Sequence, residues 1–244
     1  MLFLLRNIRR KMLSGNKITT YILYAIGEIT LVVLGILIAV RIDDSVAHRQ
    51  NRALELKILN EIITDLNKDI AEIDDDIWGF NILKESDSLL VDYFFGSSEF
   101  TDTIGSYIFT GEKSPHFNPI SGGYQLLKSK GIDLVRHDSL RIAITSYYEQ
   151  EIPYYQKYEA ERIHIVNNEI IPFNNQFFTI KKIDFFPYYC RVPFDLKTLK
   201  KNKKWISLVQ KNQYLSETMI SKAMDLKTSM LGLRDFIESH LNTL

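Results

Sequence analysis

Residues 21–40 read YILYAIGEITLVVLGILIAV, and no other stretch constrains the chain as strongly. At about 1.5 Å per residue, a helix of this length spans about 30 Å, the hydrocarbon thickness of a bilayer. Its Ile, Leu and Val residues, at about 0.3–0.6 kcal/mol each, favour insertion by roughly 5 kcal/mol. Glu28, the single ionisable residue inside the run, costs about 2.5–3.5 kcal/mol near the bilayer centre. Insertion wins, and a transmembrane helix is predicted over 21–41. A cleavable leader would need an apolar core of about 7–15 residues ending in small residues. Here the run is too long, and Ser45-Val46-Ala47 lies beyond the charged Arg41, Asp43 and Asp44.

Arg6, Arg9, Arg10, Lys11 and Lys17, with no acid among them, precede the helix, whereas Arg41, Arg49 and Arg52 follow it closely. This bias predicts a cytoplasmic N-terminus. Residues 42–244 are then periplasmic, and the protein is a single-pass protein of the inner (plasma) membrane. Residues 1–20 form a short basic segment in which Leu5, Ile8 and Met12 share a helical face opposite Arg6 and Arg10. Such a segment either lies on anionic headgroups or serves only to set topology, so membrane lipid is the first expected partner. The chain carries 30 basic and 30 acidic residues, which leaves the part beyond residue 20 at a net charge of −5. A mildly acidic body disfavours a nucleic-acid partner. Cys190 is the sole cysteine, so no disulfide framework or Cys-rich metal site can form, and its expected role is apolar packing.

Beyond the membrane the expected class is mainly α: the N-terminal transmembrane helix continues into an antiparallel helical bundle with long helices. Leu56, Leu59, Ile63, Leu66, Ile70, Ile73, Ile77 and Phe80 alternate spacings of three and four, with Asp65, Lys68, Asp69, Glu72, Asp74 and Asp75 on the other faces. Met219, Ala223, Leu226, Met230, Leu233 and Ile237 form a second such seam. Helices are predicted over about 44–95, 121–130, 139–171 and 203–242. Ser121 is the expected cap of the second, Asp138 or Ser139 that of the third. Pro153 is expected to kink or restart the third helix, and Pro172 to end it. Residues 97–119 read as an irregular connection with a short extended piece at Tyr107–Thr110, and 173–205 as a long crossover. The first seam is read as internal to the bundle, with a self-associating stalk as the alternative.

The candidate contact face in the membrane is Tyr24, Glu28, Gly35 and Ala39, which fall on one helical stripe. Small residues allow close helix approach, and a carboxyl in lipid seeks a hydrogen-bonding partner. Phe185, Phe186, Tyr188, Tyr189 and Trp205, interleaved with lysines, are a possible partner surface. Glu161 and His164 have metal-ligand spacing, but no second Glu-x-x-His accompanies them, and a solvated helix face is the better reading. No G-x-S-x-G or phosphate-binding loop is present, and Ser121-Gly122-Gly123 lacks the lysine that would follow.

The run KMLSGNK over 11–17, followed by YAIGEITLVVLGILIAV over 24–40, resembles the signature of an uncharacterised bacterial family of single-pass inner-membrane proteins, a domain of unknown function. The similarity continues through HFNPISGGYQLLKSKGIDLV (116–135), SLRIAITSYY (139–148) and the closing helix. It departs at Arg41-Ile42-Asp43-Asp44-Ser45, where a Gln-Ile-Asn-Asn-Trp-like run is usual. The resemblance implies the topology and a helical fold, and brings no catalytic residues or ligand.

The expected function is that of a membrane-anchored, non-enzymatic bundle acting through homo-oligomerisation or through another membrane or envelope protein. No catalytic, cofactor-binding or metal-ligating residue and no cofactor is assigned. The alternatives are a periplasmic sensory module relaying a signal through the membrane helix, and an enzyme using acids such as Glu159, Glu161 or Asp184.

Overall fold

The computed structural model describes residues 17–96 and 99–243, and the chain divides into two units at Glu55/Leu56. The amphipathic pattern of Leu5, Ile8 and Met12 lies outside the described residues. The architecture is mainly α. Its first helix, α1, runs over Lys17–Phe95.

In the first unit, α1 carries an apolar window of mean hydropathy 2.4, none of it buried, that is long and apolar enough to cross a membrane. Thr30 satisfies its own hydroxyl by donating to the Ile26 carbonyl at 2.7 Å.

In the second unit, the part of α1 beyond Leu56 is followed by α2 (Asp102–Thr110), α3 (Gly122–Lys130), α4 (Asp138–Ser146), α5 (Ile152–Ile165) and α6 (Ile171–Phe177). The strands β1 (Phe178–Lys182) and β2 (Tyr189–Pro193) come next, then α7 (Leu196–Lys200) and α8 (Lys203–Asn242). The long helices of this unit lie antiparallel: Asn67 meets Arg234, Asp74 meets Lys227, Asp87 meets Asn212 and Phe94 meets Trp205. Both seams explain the pairing. All six apolar positions of the α8 seam are buried, as are Leu59, Leu66, Ile73 and Phe80 of α1. The other four positions of the first seam, Leu56, Ile63, Ile70 and Ile77, are half-buried, and Ile58 and Ile62 join the core instead; burial stabilises the fold by roughly 1.5–3 kcal/mol for each large side chain.

The helical stretch 138–177 does not end at its prolines. A π turn, Tyr147–Glu151, precedes Pro153, and another, Val166–Ile170, precedes Pro172. Each proline then sits in the first turn of the next α segment, where a missing N–H costs nothing. His137, not Asp138 or Ser139, caps α4: its Nδ1 accepts the Leu140 N–H.

The connection 97–119 contains α2, so Tyr107–Thr110 is helical and not extended. Gly105 reads as a breaker in sequence, yet α2 needs it for packing, because a Cβ there would collide with the Arg191 carbonyl oxygen on β2. The expected crossover is a two-stranded antiparallel hairpin that pairs Phe178 with Pro193 and Lys182 with Tyr189.

Candidate functional site

Tyr24, Glu28, Gly35 and Ala39 all lie on α1, where helical periodicity sets them on one stripe. Glu28, Gly35 and Ala39 are exposed, and no atom comes within 4 Å of a Cβ built on Gly35. The stripe leaves room for another helix.

The aromatic set divides. Phe185, Phe186, Tyr188 and Tyr189 are exposed at the hairpin tip, with Phe186 at 71 %. Tyr188 holds the tip in left-handed backbone (φ 65°), an uncommon conformation for a side chain of its size. Trp205 is different and corrects the sequence reading. It is 2 % exposed, edge-on to Phe94 at 3.9 Å between ring centroids, and packed with Phe178 and Leu199. It belongs to the first turn of α8, whose inner face is core. On the outside Trp78 takes its place, 66 % exposed, and with Ile82, Phe109, Pro115, Phe186 and Tyr189 it lines an open groove of about 490 Å³. Glu161 and His164 remain on an exposed face, where His164 Nδ1 meets the Asn168 amide. Among the described residues no group of three or more His, Cys, Asp or Glu side chains could hold a metal ion.

A further cluster lies on a face of α1 outside the predicted seam. Four backbone N–H groups between residues 117 and 123 donate to a ladder of carboxylates. Phe117 donates to Glu159 Oε1 at 2.6 Å and Asn118 to Glu72 Oε1 at 3.1 Å. Ile120 donates to Asp69 Oδ1 and Gly123 to Asp65 Oδ2, both at 2.9 Å. Asp65, Asp69, Glu72 and Asp76 recur on α1 at spacings of four, three and four, so one helix face offers a row of acceptors to a segment lying along it. Ser121 stands at the N-cap position of α3 but makes no capping hydrogen bond. The Asp65 carboxylate, reaching over from α1, does that work and places negative charge at the positive end of α3. Gly123 permits this approach, since a Cβ there would come within 2.8 Å of the Ile62 amide nitrogen.

Burial dominates the electrostatics of the ladder. Asp69 is fully buried and its pKa is pushed up to about 7, first by burial; the Ile120 N–H opposes the shift, and Glu72 and Asp65 add to it. Burial likewise raises Glu159 to about 7 and Asp76 to about 6. The second oxygens of Asp69 and Asp76 and the hydroxyls of Tyr147, Tyr148 and Tyr155 have no hydrogen-bond partner. Burial first, then Asp69, raises the Tyr147 and Tyr148 phenols; burial first, then Glu159 and Asp76, raises Tyr155. Chemically, the cluster can hold a backbone segment and exchange protons near neutral pH.

A second buried network fixes α2. Arg162, 1 % exposed, donates through Nη1 to Asn212 Oδ1 at 2.7 Å and through Nη2 to the Lys113 carbonyl at 2.9 Å. Asn212 donates in turn to Asp87 Oδ1 and to the Gly111 carbonyl. Burial raises Asp87 to about 7 and lowers Arg162 to about 10. Nearby, Arg191 grips both Glu112 oxygens, at 2.8 and 3.0 Å. Sequence reasoning passed over these residues. One signal was available: Asn212 occupies a core position between Leu208 and Leu215 in the α8 pattern.

Fold and site together define a mainly α protein with one exposed apolar helix segment and a separate bundle whose acids serve its own backbone. The chain belongs to DUF6090, a family of unknown function, which it matches over residues 28–185. That match includes the hydrophobic stripe from Glu28, the whole carboxylate ladder and the first part of the hairpin. No curated protein and no solved structure matches the chain.

Proposed function

We propose that this is a single-pass inner-membrane protein of bacteria whose bundle, Leu56–Leu244, stands in the periplasm and acts by binding other envelope proteins or further copies of itself. The observation that carries the reading is the apolar window of α1, none of which is buried by the protein. So much exposed apolar surface is stable only against lipid or a partner. Two surfaces support contact with proteins. Glu28, Gly35 and Ala39, with Tyr24, form the membrane stripe; Phe185, Phe186, Tyr188 and Tyr189 are exposed on the hairpin, and Phe186 and Tyr189 line the groove beside Trp78. A non-enzymatic role is favoured because the carboxylates that converge, Glu159 included, are occupied by backbone N–H groups.

The test has two arms. A reporter fused after Leu244 is expected to be active only when periplasmic, and the protein to sediment with membranes. Photo-crosslinkers at Tyr24 and Phe186 are expected to trap discrete adducts in intact cells, and Glu28→Leu to reduce the Tyr24 adduct. A cytosolic reporter, or crosslinkers that trap nothing above background, would overturn the proposal.

A further inference from the structure

We infer that residues 116–123 are a latch whose hold on α1 weakens as pH rises: the segment is kept in place by four carboxylates that accept its N–H groups, and the same carboxylates repel one another once all are charged. The N–H contacts themselves favour charged acceptors, and burial outweighs them at Asp69 and Glu159. In three of the four contacts the acceptor comes from α1, and the fourth, Glu159, from α5. Asp69 is completely buried and its second oxygen has no partner, so the anion there lacks full compensation. A buried carboxylate in this position is favoured in its neutral form.

The charged and titratable neighbours reinforce that sign. Asp69 faces Asp65 and Glu72 from its own helix and the phenols of Tyr147 and Tyr148 from the segment after α4. Asp76 faces Glu72 and Asp75 from α1, His116 from the latch itself, and Tyr155 from α5. Glu159 faces Asp76, Glu72, His116 and Tyr155. His116, carried on the latch, faces both Asp76 and Glu159 and opposes the rise in each. Acidification therefore tightens the latch by neutralising the buried acids. Raising the pH does the reverse. Opening would withdraw Phe117 from its edge-on contact with Tyr155 and uncover Ile62, both fully buried when the latch is closed.

Hydrogen–deuterium exchange of the full chain in detergent tests the latch, with exchange times scaled for intrinsic chemistry at each pH. The quantity read is the ratio of protection in residues 117–123 to that in the β1–β2 hairpin, whose strands carry none of these acids. Between about pH 5.5 and 8 the ratio is expected to fall about tenfold, the equivalent of one pKa unit of differential interaction. The fall should disappear in Asp69→Asn, which keeps an acceptor for the Ile120 N–H and cannot charge. Glu159→Gln tests the other end of the ladder and serves if Asp69→Asn does not fold. A ratio constant with pH, or a full wild-type fall in a folded variant, would overturn the inference.

Discussion

Glu159 Oε1 accepts the Phe117 N–H at 2.6 Å, across 42 residues of sequence and within the buried interior. The contact ties α5 to a segment that has no strand or helix partner of its own there. It also explains why an acid sits on a face otherwise given to Tyr155, Arg162 and Ile152. Without it, a buried amide would be left with no acceptor, at a cost of about 1–3 kcal/mol. Interior acids in this protein thus act as backbone substitutes, doing for residues 117–123 what a neighbouring strand does elsewhere.

Asn212 is the pivot of the other buried network, placed between Arg162 and Asp87. Asn212→Leu leaves a guanidinium and a carboxyl both short of partners in a low-dielectric setting. The expected loss is about 1–3 kcal/mol, the cost of leaving buried polar groups unsatisfied. Denaturant unfolding of the detergent-solubilised chain measures it; a loss below about 1 kcal/mol would show that the network relaxes without cost.

Stability should fall as pH rises from mildly acidic to neutral. Asp69, Asp87 and Glu159 stand at about 7 and Asp76 at about 6, each raised first by burial. A carboxyl raised by folding binds more protons in the native than in the unfolded state between its ordinary and its raised value. Each such group therefore removes about 1.4 kcal/mol of stability per pH unit across that window, which closes near pH 7. Glu149 and Asp195 are lowered, by hydrogen bonds to Lys128 and Thr198, and oppose this only below the usual carboxylate range. Urea midpoints taken at about pH 5, 6, 7 and 8 give the slope, and a midpoint that climbs across this range contradicts the assignment.

The seams were legible because alternating three- and four-residue spacing is a local signal: Met219, Ala223, Leu226, Met230, Leu233 and Ile237 are all buried. The ladder was not. Asp65 and Asp69 look like solvent-facing helix positions until a segment 51 or more residues away covers them. Burial of that kind is a property of tertiary structure and leaves no periodicity. The same holds for Trp205 and for Gly105, whose roles depend on what packs opposite them. Phe186 and its neighbours were legible as an aromatic cluster, but whether each ring faced core or water depended on a hairpin that the Gly/Pro pattern did not disclose.

Trp205 and Phe186 should separate cleanly in their mutational effects. Trp205→Ala removes a ring enclosed by Phe94, Phe178 and Leu199, for an expected loss of about 3–5 kcal/mol. Phe186→Ser removes an exposed ring and should stay within about 0.5 kcal/mol of the parent. Thermal unfolding of the two variants side by side decides it. Equal losses would mean that the hairpin tip is part of the core and not a surface available to partners.

Gly105 and Gly35 make the corresponding pair for backbone approach. On α2, a methyl group at Gly105 meets the Arg191 carbonyl oxygen and the Cys190 Cβ, so helix and strand must move apart. Gly105→Ala is expected to cost about 1–3 kcal/mol, as overpacking does, and to loosen the Arg191–Glu112 grip next to it. At Gly35 nothing lies within 4 Å, and Gly35→Leu should leave unfolding of the bundle unchanged within about 0.5 kcal/mol. Its effect should appear instead in membranes, as a loss of crosslinked adducts from neighbouring positions on the Glu28 stripe, because a bulky side chain prevents close helix approach. If Gly35→Leu destabilises the bundle, or leaves the adducts intact, that stripe is not a contact face.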